Sequence, residues 1–320
     1  MQPAVSVIMP TYNRAGYLKK SIQSVLDQTF SDFEIIVINN YSIDDTLDVI
    51  RAFNDPRIKV INFKNDGIIA KSRNQGILQS AGRYIAFLDD DDLWCPNKLE
   101  LEVKCLESNP EFDLVYSRAL IIDEHDIRNG SLIDPNNAKS GQVFLDLLYE
   151  NFIPILTVLI KKNVFDAVGL FNEDPLMRAA EDYEFWLRAS LKSNFGYIDM
   201  SLALYRMHSA SVSMAINKPQ LRQKTLQNII SSSVIPGNYL AEINSNIERL
   251  NADISVFFWR ASDKANSKIY AKKYFILNLK KIRLLNAAAG FLLYVIVNFE
   301  YPLFDKMVKH IPHIRKSLHI

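Results

Sequence analysis

The sequence predicts an α/β protein, a doubly wound sheet flanked by helices and followed by a helical appendage. Short apolar runs rich in β-branched residues occupy 5–9, 34–38, 58–61 and 84–88. Each leads into a polar loop and then, between runs, into apolar residues at helical spacing, the alternation that builds parallel strands with helical crossovers. From Lys218 onward apolar residues recur at helical spacing with few glycines, which predicts helices without a further sheet.

The elements follow in order. Pro10 is expected to end the first strand, because it offers no amide to a ladder. Thr11-Tyr12-Asn13-Arg14 is then a loop at the carboxyl edge, and Leu18, Ile22, Val25 and Leu26 mark the first helix. The second strand runs into Asn39-Asn40-Tyr41-Ser42, after which Asp44 and Asp45 suit a helix start, where the dipole favours negative charge. Asp66-Gly67 is a turn before a helix carrying Lys71, Arg73 and Asn74. The fourth strand delivers Asp89-Asp90-Asp91-Asp92 to its carboxyl end, the edge where open α/β sheets bind ligands. Adjacent carboxylates repel unless a cation joins them, and hard oxygen donors suit Mg²⁺ or Mn²⁺, which would hold a phosphate. A solvated acidic turn is the alternative. A calcium loop is excluded, since Leu93 takes a ligand position and Trp94 the place of the required Gly.

Further on, 113–122 reads as a strand, 123–141 as a long polar loop, 155–160 as a strand and 164–169 as a short helix closed by Gly169. Glu181-Asp182 opens a helix that continues Tyr183-Glu184-Phe185-Trp186-Leu187-Arg188. Acids there fit simple dipole compensation.

Composition narrows the classes. The chain has 320 residues, 48% of them apolar, and a net charge of +1. That describes a protein with a sizeable core and gives no global case for nucleic acid as a partner. Cys95 and Cys105 match neither a zinc pattern nor a disulfide framework and read as thiols of a reducing, cytoplasmic compartment. Met1 leads almost directly into the first strand, so no signal peptide is expected. The first loop carries neither the G-x-G-x-x-G of dinucleotide sites nor a P-loop. It offers instead an aromatic face, Tyr12, on which a base could stack.

Taken together, Val5 to Arg14, Ser24-Val25-Leu26-Asp27-Gln28-Thr29-Phe30, Phe33 to Val37, Arg73-Asn74-Gln75-Gly76 and Phe87 to Trp94 resemble the family 2 glycosyltransferases of GT-A fold. The resemblance covers about residues 3–215. It implies a catalytic domain over 1–215, with a nucleotide-binding half to about 110 and an acceptor half after it, and a helical region over 216–320. The family's D-x-D maps on Asp89-Asp90-Asp91, with Asp91 the direct metal ligand, Asp89 beside it and Asp90 near the ribose or diphosphate. Tyr12 would stack on the base, with Pro10, Thr11 and Arg14 in the same loop, and Arg73 would face the nucleotide. Asp182 would be the general base and Glu181 an orienting or acceptor-binding group. Leu204 to Ser213 resembles the closing Y-R-x-H segment, which makes His208 a candidate for the metal or diphosphate site.

One departure is Asn39-Asn40, where the family has an Asp pair that reads uracil. An Asn40 amide can still accept the uracil or thymine N3–H. The implied activity is inverting, Mn²⁺- or Mg²⁺-dependent transfer of a sugar from a nucleotide sugar, a UDP-sugar, to a saccharide or lipid-linked acceptor in surface polysaccharide, lipopolysaccharide or glycolipid synthesis. Without the Q-x-x-R-W of processive synthases, single addition fits better. A catalytically weak nucleotide-sugar-binding protein is the alternative. In the tail, Lys264, Lys268, Lys272, Lys273, Lys280, Lys281 and Arg283 precede an apolar stretch at 284–299 that is short for a membrane crossing. It suits peripheral contact with the inner face of an anionic plasma membrane, or packing on the catalytic domain or on another subunit.

Overall fold

A computed structural model describes residues 2–133, 138–208, 218–232, 235–261, 263–280 and 294. The chain divides into compact units, Met1–Met214 and Ala215–Ile320.

The first unit opens with β1 (Val5–Thr11), α1 (Ala15–Leu26), β2 (Phe33–Asn39), α2 (Thr46–Ala52), β3 (Ile58–Asn62), α3 (Ile69–Gln79) and β4 (Tyr84–Phe87). These strands are parallel and ordered β3-β2-β1-β4. Every residue of β1 and β2 is buried, which is why both read as unbroken apolar runs: helices cover both faces of a central parallel strand. Leu18, Ile22 and Val25 of α1 are the buried face of that cover. Close packing of α3 on β1 depends on Gly76, where a Cβ would stand 2.5 Å from Ile8 Cγ2.

Pro10 does not end β1; it lies inside it, in register with Ile38. The Ile8 carbonyl accepts Leu88 N–H on the β4 side, so Pro10, two residues on, faces the same way. Pairing with β4 stops at Ile8 and Phe87, so no acceptor waits for the amide that Pro10 lacks.

The unit continues with β5 (Leu93–Trp94), α4 (Lys98–Ser108), β6 (Leu114–Ile122), β7 (Arg128–Ile133), α5 (Phe144–Tyr149), β8 (Leu159–Lys161), α6 (Asn163–Val168), α7 (Glu181–Ser190) and β9 (Phe195–Arg206). They extend the sheet to β3-β2-β1-β4-β8-β6-β9-β5, with β7 paired on β6, and make it mixed. The expected loop at 123–141 therefore contains a strand. Asp123 folds the chain back by accepting His125 and Ile127 N–H, each at 2.9 Å, and Asp126 takes φ of 67°. The expected strand at 155–160 begins instead as a 3₁₀ turn, Ile155–Thr157, because Pro154 O takes both Thr157 N–H at 3.0 Å and its hydroxyl at 2.7 Å.

In the second unit α8 (Lys218–Ser232), α9 (Gly237–Arg260) and α10 (Lys264–Lys280) form the expected helical region. Ile243, Leu250 and Ile254 of α9 are buried, and the Ser255 and Ser267 hydroxyls bond across to opposite backbones at 2.8 and 2.9 Å. Among the described residues no helix is long and apolar enough to cross a membrane. The stretch 284–299 lies outside the described residues, Tyr294 excepted.

Candidate active site

After β1 the chain winds outward to β2 and β3 and then returns to β4 on the other side of β1. The carboxyl ends of β1 and β4 thus flank the point where the winding reverses, and their loops open into one crevice. Thr11 Oγ1 donates to Asp90 Oδ2 at 2.8 Å, and Tyr12 N–H to the same oxygen at 3.4 Å. Arg14 Nη1 reaches Asp90 Oδ1 at 3.1 Å and Asp91 Oδ2 at 2.5 Å. Ser21 on α1 shares its hydroxyl between the carbonyls of Asp90 and Asp92, at 2.9 and 2.7 Å.

The acidic run is no solvated turn. Asp90 and Asp92 are buried, and only their neighbours meet solvent appreciably. Burial and the adjacent Asp91 push the Asp90 carboxyl up to about 7, against the pull of Arg14 and the Thr11 hydrogen bond. Burial raises Asp92 well above the carboxylate range too, while its Oδ1 accepts Arg206 N–H at 2.7 Å.

Arg206, at the end of β9, is a residue that the sequence reading did not assign. It is buried, donates to the Asp91 and Asp123 carbonyls at 2.6 and 2.8 Å, pairs with Asp126, and stacks over Tyr17. It thereby ties the β6–β7 turn to the acidic loop and sets the course of the next residues. His208 then stacks on Tyr17 and brings Nε2 to 3.0 Å from Asp91 Oδ2. The sequence signal was Arg206 lying two residues before the candidate His208.

A second acidic corner is built from far away in the chain. Glu181 and Asp182 start α7, whose aromatic face is locked into the core: Phe185 packs 5.1 Å from Phe165 and 4.8 Å from Phe171. Tyr183 OH bonds Leu147 O at 2.6 Å, and Trp186 Nε1 bonds Ile153 O at 3.2 Å. Arg73, 3% exposed, joins the two corners. Its Nη1 donates to Glu181 Oε1 at 2.5 Å, and its Nη2 to Asp89 Oδ1 and Oδ2 at 2.9 and 3.1 Å. Glu181 Oε2 and Arg73 Nε are buried with no hydrogen-bond partner among the described residues. Such groups are costly to leave alone, and a bound hydroxyl would satisfy the first. Burial and the neighbouring Glu181 push the Asp182 carboxyl up to about 7; Arg73 and hydrogen bonds from Tyr183 N–H and the Asn151 side chain work the other way.

The loops after β1 and β2 are stitched together by Asn13, which accepts Ile43 N–H at 2.8 Å and donates its own amide to Ser42 Oγ at 2.9 Å. Asn39 is spent inside the fold, donating to Asn62 Oδ1 at 2.7 Å and accepting Ser42 N–H at 3.0 Å. Asn40 Oδ1 accepts Asn65 N–H at 3.0 Å. One lone pair of that oxygen is therefore in use, and the other remains for a base N–H.

The donor chemistry fits a divalent cation with a condition. Asp91 and His208 converge at 3.0 Å, about the separation of neighbouring ligands on an octahedral ion with bonds of ~2.1 Å. Asp89, expected beside them, is paired with Arg73, and no group of three or more His, Cys, Asp or Glu able to hold a metal occurs among the described residues. Such ions often take one or two protein ligands and complete their shell with substrate phosphates and water. Asp91 and His208 suit that arrangement.

The sequence pattern of glycosyl transferase family 2 matches residues 6–165. A Rickettsia bellii protein described as an uncharacterized glycosyltransferase is 37% identical over 241 residues, covering 74% of this chain but only 33% of its own length. The chain thus spans about a third of that relative. The Escherichia coli UDP-Glc:alpha-D-GlcNAc-diphosphoundecaprenol beta-1,3-glucosyltransferase WfgD is 31% identical over 221 residues, covering 68% of this chain and 83% of WfgD. Among solved structures, Staphylococcus aureus TarS 1–349 in complex with UDP-GlcNAc superposes with a TM-score of 0.64 at 18% identity, over 93% of this chain and 90% of TarS 1–349. The mannosyltransferase PcManGT from Pyrobaculum calidifontis, in complex with GDP-Man and Mn²⁺, gives 0.60 at 15%, over 100% and 87%. At these identities the structural likeness speaks for the fold.

Proposed function

This chain belongs to glycosyl transferase family 2, and from that premise we propose that it transfers a sugar from a nucleotide-sugar donor, with inversion, to a saccharide or lipid-linked acceptor of a surface glycan. The observation that carries this reading is the pair of acidic corners joined by Arg73, one at the sheet's reversal point and one at the start of α7. A donor needs the first and a nucleophile needs the second. WfgD, whose name specifies UDP-Glc and a diphosphoundecaprenol-linked acceptor, supports the donor and acceptor classes.

In this reading Tyr12 stacks on the base and Asn40 meets its edge, beside Thr11. Asp90 takes the ribose or diphosphate side, and Arg14, which already spans Asp90 and Asp91, turns its guanidinium to the diphosphate. Asp91 and His208 would hold Mn²⁺ or Mg²⁺, which when bound neutralises charge growing on the leaving diphosphate. Asp89 fixes Arg73 and through it Glu181, whose unpartnered Oε2 receives an acceptor hydroxyl. Asp182 takes the proton of the attacking hydroxyl. A sugar hydroxyl is a poor nucleophile, and a base whose affinity for protons lies near neutrality removes that proton best. A proton acceptor so placed has no use in a protein that only binds nucleotide sugars, the second reading.

Asp91→Ala should abolish Mn²⁺-dependent binding of nucleoside diphosphate in calorimetry while the far-ultraviolet dichroism stays as in the wild type. Unchanged affinity in Mn²⁺ would remove Asp91 from the site. The lysines of α10 suit peripheral contact with an anionic bilayer: the chain should sediment with phosphatidylserine vesicles in a salt-sensitive way, and truncation after about residue 260 should end it. Sedimentation unaffected by truncation would leave the tail to packing.

A further inference from the structure

Tyr41 stands just outside β2, held in the left-handed region at φ of 55°. An L residue with a bulky side chain rarely adopts that backbone, whereas glycine does so freely. The conformation is imposed from both sides. Asn40 N–H bonds Thr11 O at 3.0 Å, Ser42 N–H bonds Asn39 Oδ1 at 3.0 Å, Ser42 Oγ accepts Asn13 N–H, and Ile43 N–H bonds Asn13 Oδ1. A loop so firmly stitched would be served by glycine at its strained position, yet it carries a tyrosine.

The ring itself is left largely to solvent. It is 59% exposed and makes no hydrogen bond, ring contact or cation–π contact among the described residues. Tyr12, 53% exposed, shares these properties. The two leave the sheet from the carboxyl ends of neighbouring parallel strands, whose last residues, Thr11 and Asn39, pair in register. Strands so paired lie about 4.8 Å apart. Two exposed phenol side chains therefore follow adjacent strand ends, and the Asn40 amide, next to Tyr41 in the chain, has its oxygen oriented by Asn65 N–H. Backbone strain that a fold over-determines concentrates at functional sites, and here it carries an exposed aromatic ring. A planar, weakly polar ligand with hydrogen-bonding edges matches aromatic faces beside a carboxamide, and a nucleobase has that form.

We propose that Tyr41 is a specificity-determining residue of the donor site, supplying a second aromatic face to the nucleobase alongside Tyr12. This rests on the nucleotide-sugar reading above. Tyr41 acts on the base alone and leaves the diphosphate to Arg14 and the acidic loop. Its ring carries the contact; its hydroxyl does not.

Calorimetry on the full chain in Mn²⁺ tests this, using whichever of UDP, TDP and GDP binds the wild type most tightly and inorganic pyrophosphate as a probe without a base. Tyr41→Gly should weaken the nucleotide about tenfold, within the range seen when a base loses an aromatic stacking partner. Tyr41→Phe should bind as the wild type does, and pyrophosphate should bind all three proteins equally. Because glycine relieves the strained backbone, Tyr41→Gly should melt no lower than the wild type, which excludes misfolding as the cause. Unchanged nucleotide affinity in Tyr41→Gly, or an equal loss for pyrophosphate, overturns the assignment while the donor reading stands. A wild type that binds none of the nucleotides overturns both.

Discussion

The loop after β4 and the first turn of α7 each hold carboxylates out of water, yet their partners differ. Asp90 receives a guanidinium, a hydroxyl and a backbone amide, and Asp91 a guanidinium and an imidazole. Asp182 receives one backbone amide and an Asn151 amide, while the nearby guanidinium of Arg73 is bound to Glu181 and Asp89. Burial pushes Asp90 and Asp182 alike up to about 7, so the two corners differ in their partners more than in proton affinity.

The largest effect should follow from erasing the second kind of site. Asp182→Asn keeps shape and hydrogen bonding but cannot take a proton, so turnover should fall on the order of a hundred- to ten-thousand-fold with donor affinity nearly unchanged. Wild-type kcat/KM should rise with pH along a limb centred near 7, where Asp182 loses its proton. Stability gives an independent readout. Asp182 ionises near its ordinary 3.8 in the unfolded chain and near 7 in the folded one, so folding takes up a proton between these values. Wild-type stability therefore declines as pH rises through that window and stays reduced above it. Asp182→Asn should melt higher than the wild type at pH 8, and that advantage should vanish by about pH 4. Full activity in the variant would dissolve the contrast between the corners.

Cutting the link between the corners comes next. Arg73→Met leaves Glu181 and Asp89 without their shared cation, and removing one partner of a buried ion pair costs about 3–5 kcal/mol. Urea unfolding should show that loss, and adding Glu181→Gln should recover part of it, because the stranded charge is then gone. No recovery would mean that Arg73 acts by packing alone. The smallest effect is expected at the base edge. Asn40→Asp keeps the bond to Asn65 N–H and turns the remaining lone pairs into a charged acceptor for a uracil N3–H. A charge-assisted bond exceeds a neutral one by about 1 kcal/mol, so UDP should bind roughly five- to tenfold tighter, and GDP should not. Equal gains for both nucleotides would detach Asn40 from base reading.

What could be read in advance depended on distance along the chain. The apolar runs of β1 and β2 are buried throughout, so hydropathy announced them. β7 lies at the margin of the sheet and is mostly polar, Arg128-Asn129-Gly130-Ser131-Leu132-Ile133, so nothing distinguished it from a loop. Pro10 read as a strand terminator because its effect depends on where the neighbouring β4 stops. The ion pair of Asp89 with Arg73 could not be read in advance, because Arg73 comes from a different element.

The sequence by itself determined the alternation of strands and helices, the family, and which loops crowd aromatic and acidic residues at the carboxyl edge of the sheet. These follow from local pattern, since burial repeats with the period of each element. Only the tertiary structure decided which carboxylate meets which cation. Arg73 and Glu181 are 108 residues apart, and Arg206 comes to Asp91 across 115. A proton affinity or a strained Tyr41 loop arises from desolvation and cross-strand hydrogen bonds, which exist only once distant segments have closed around the group.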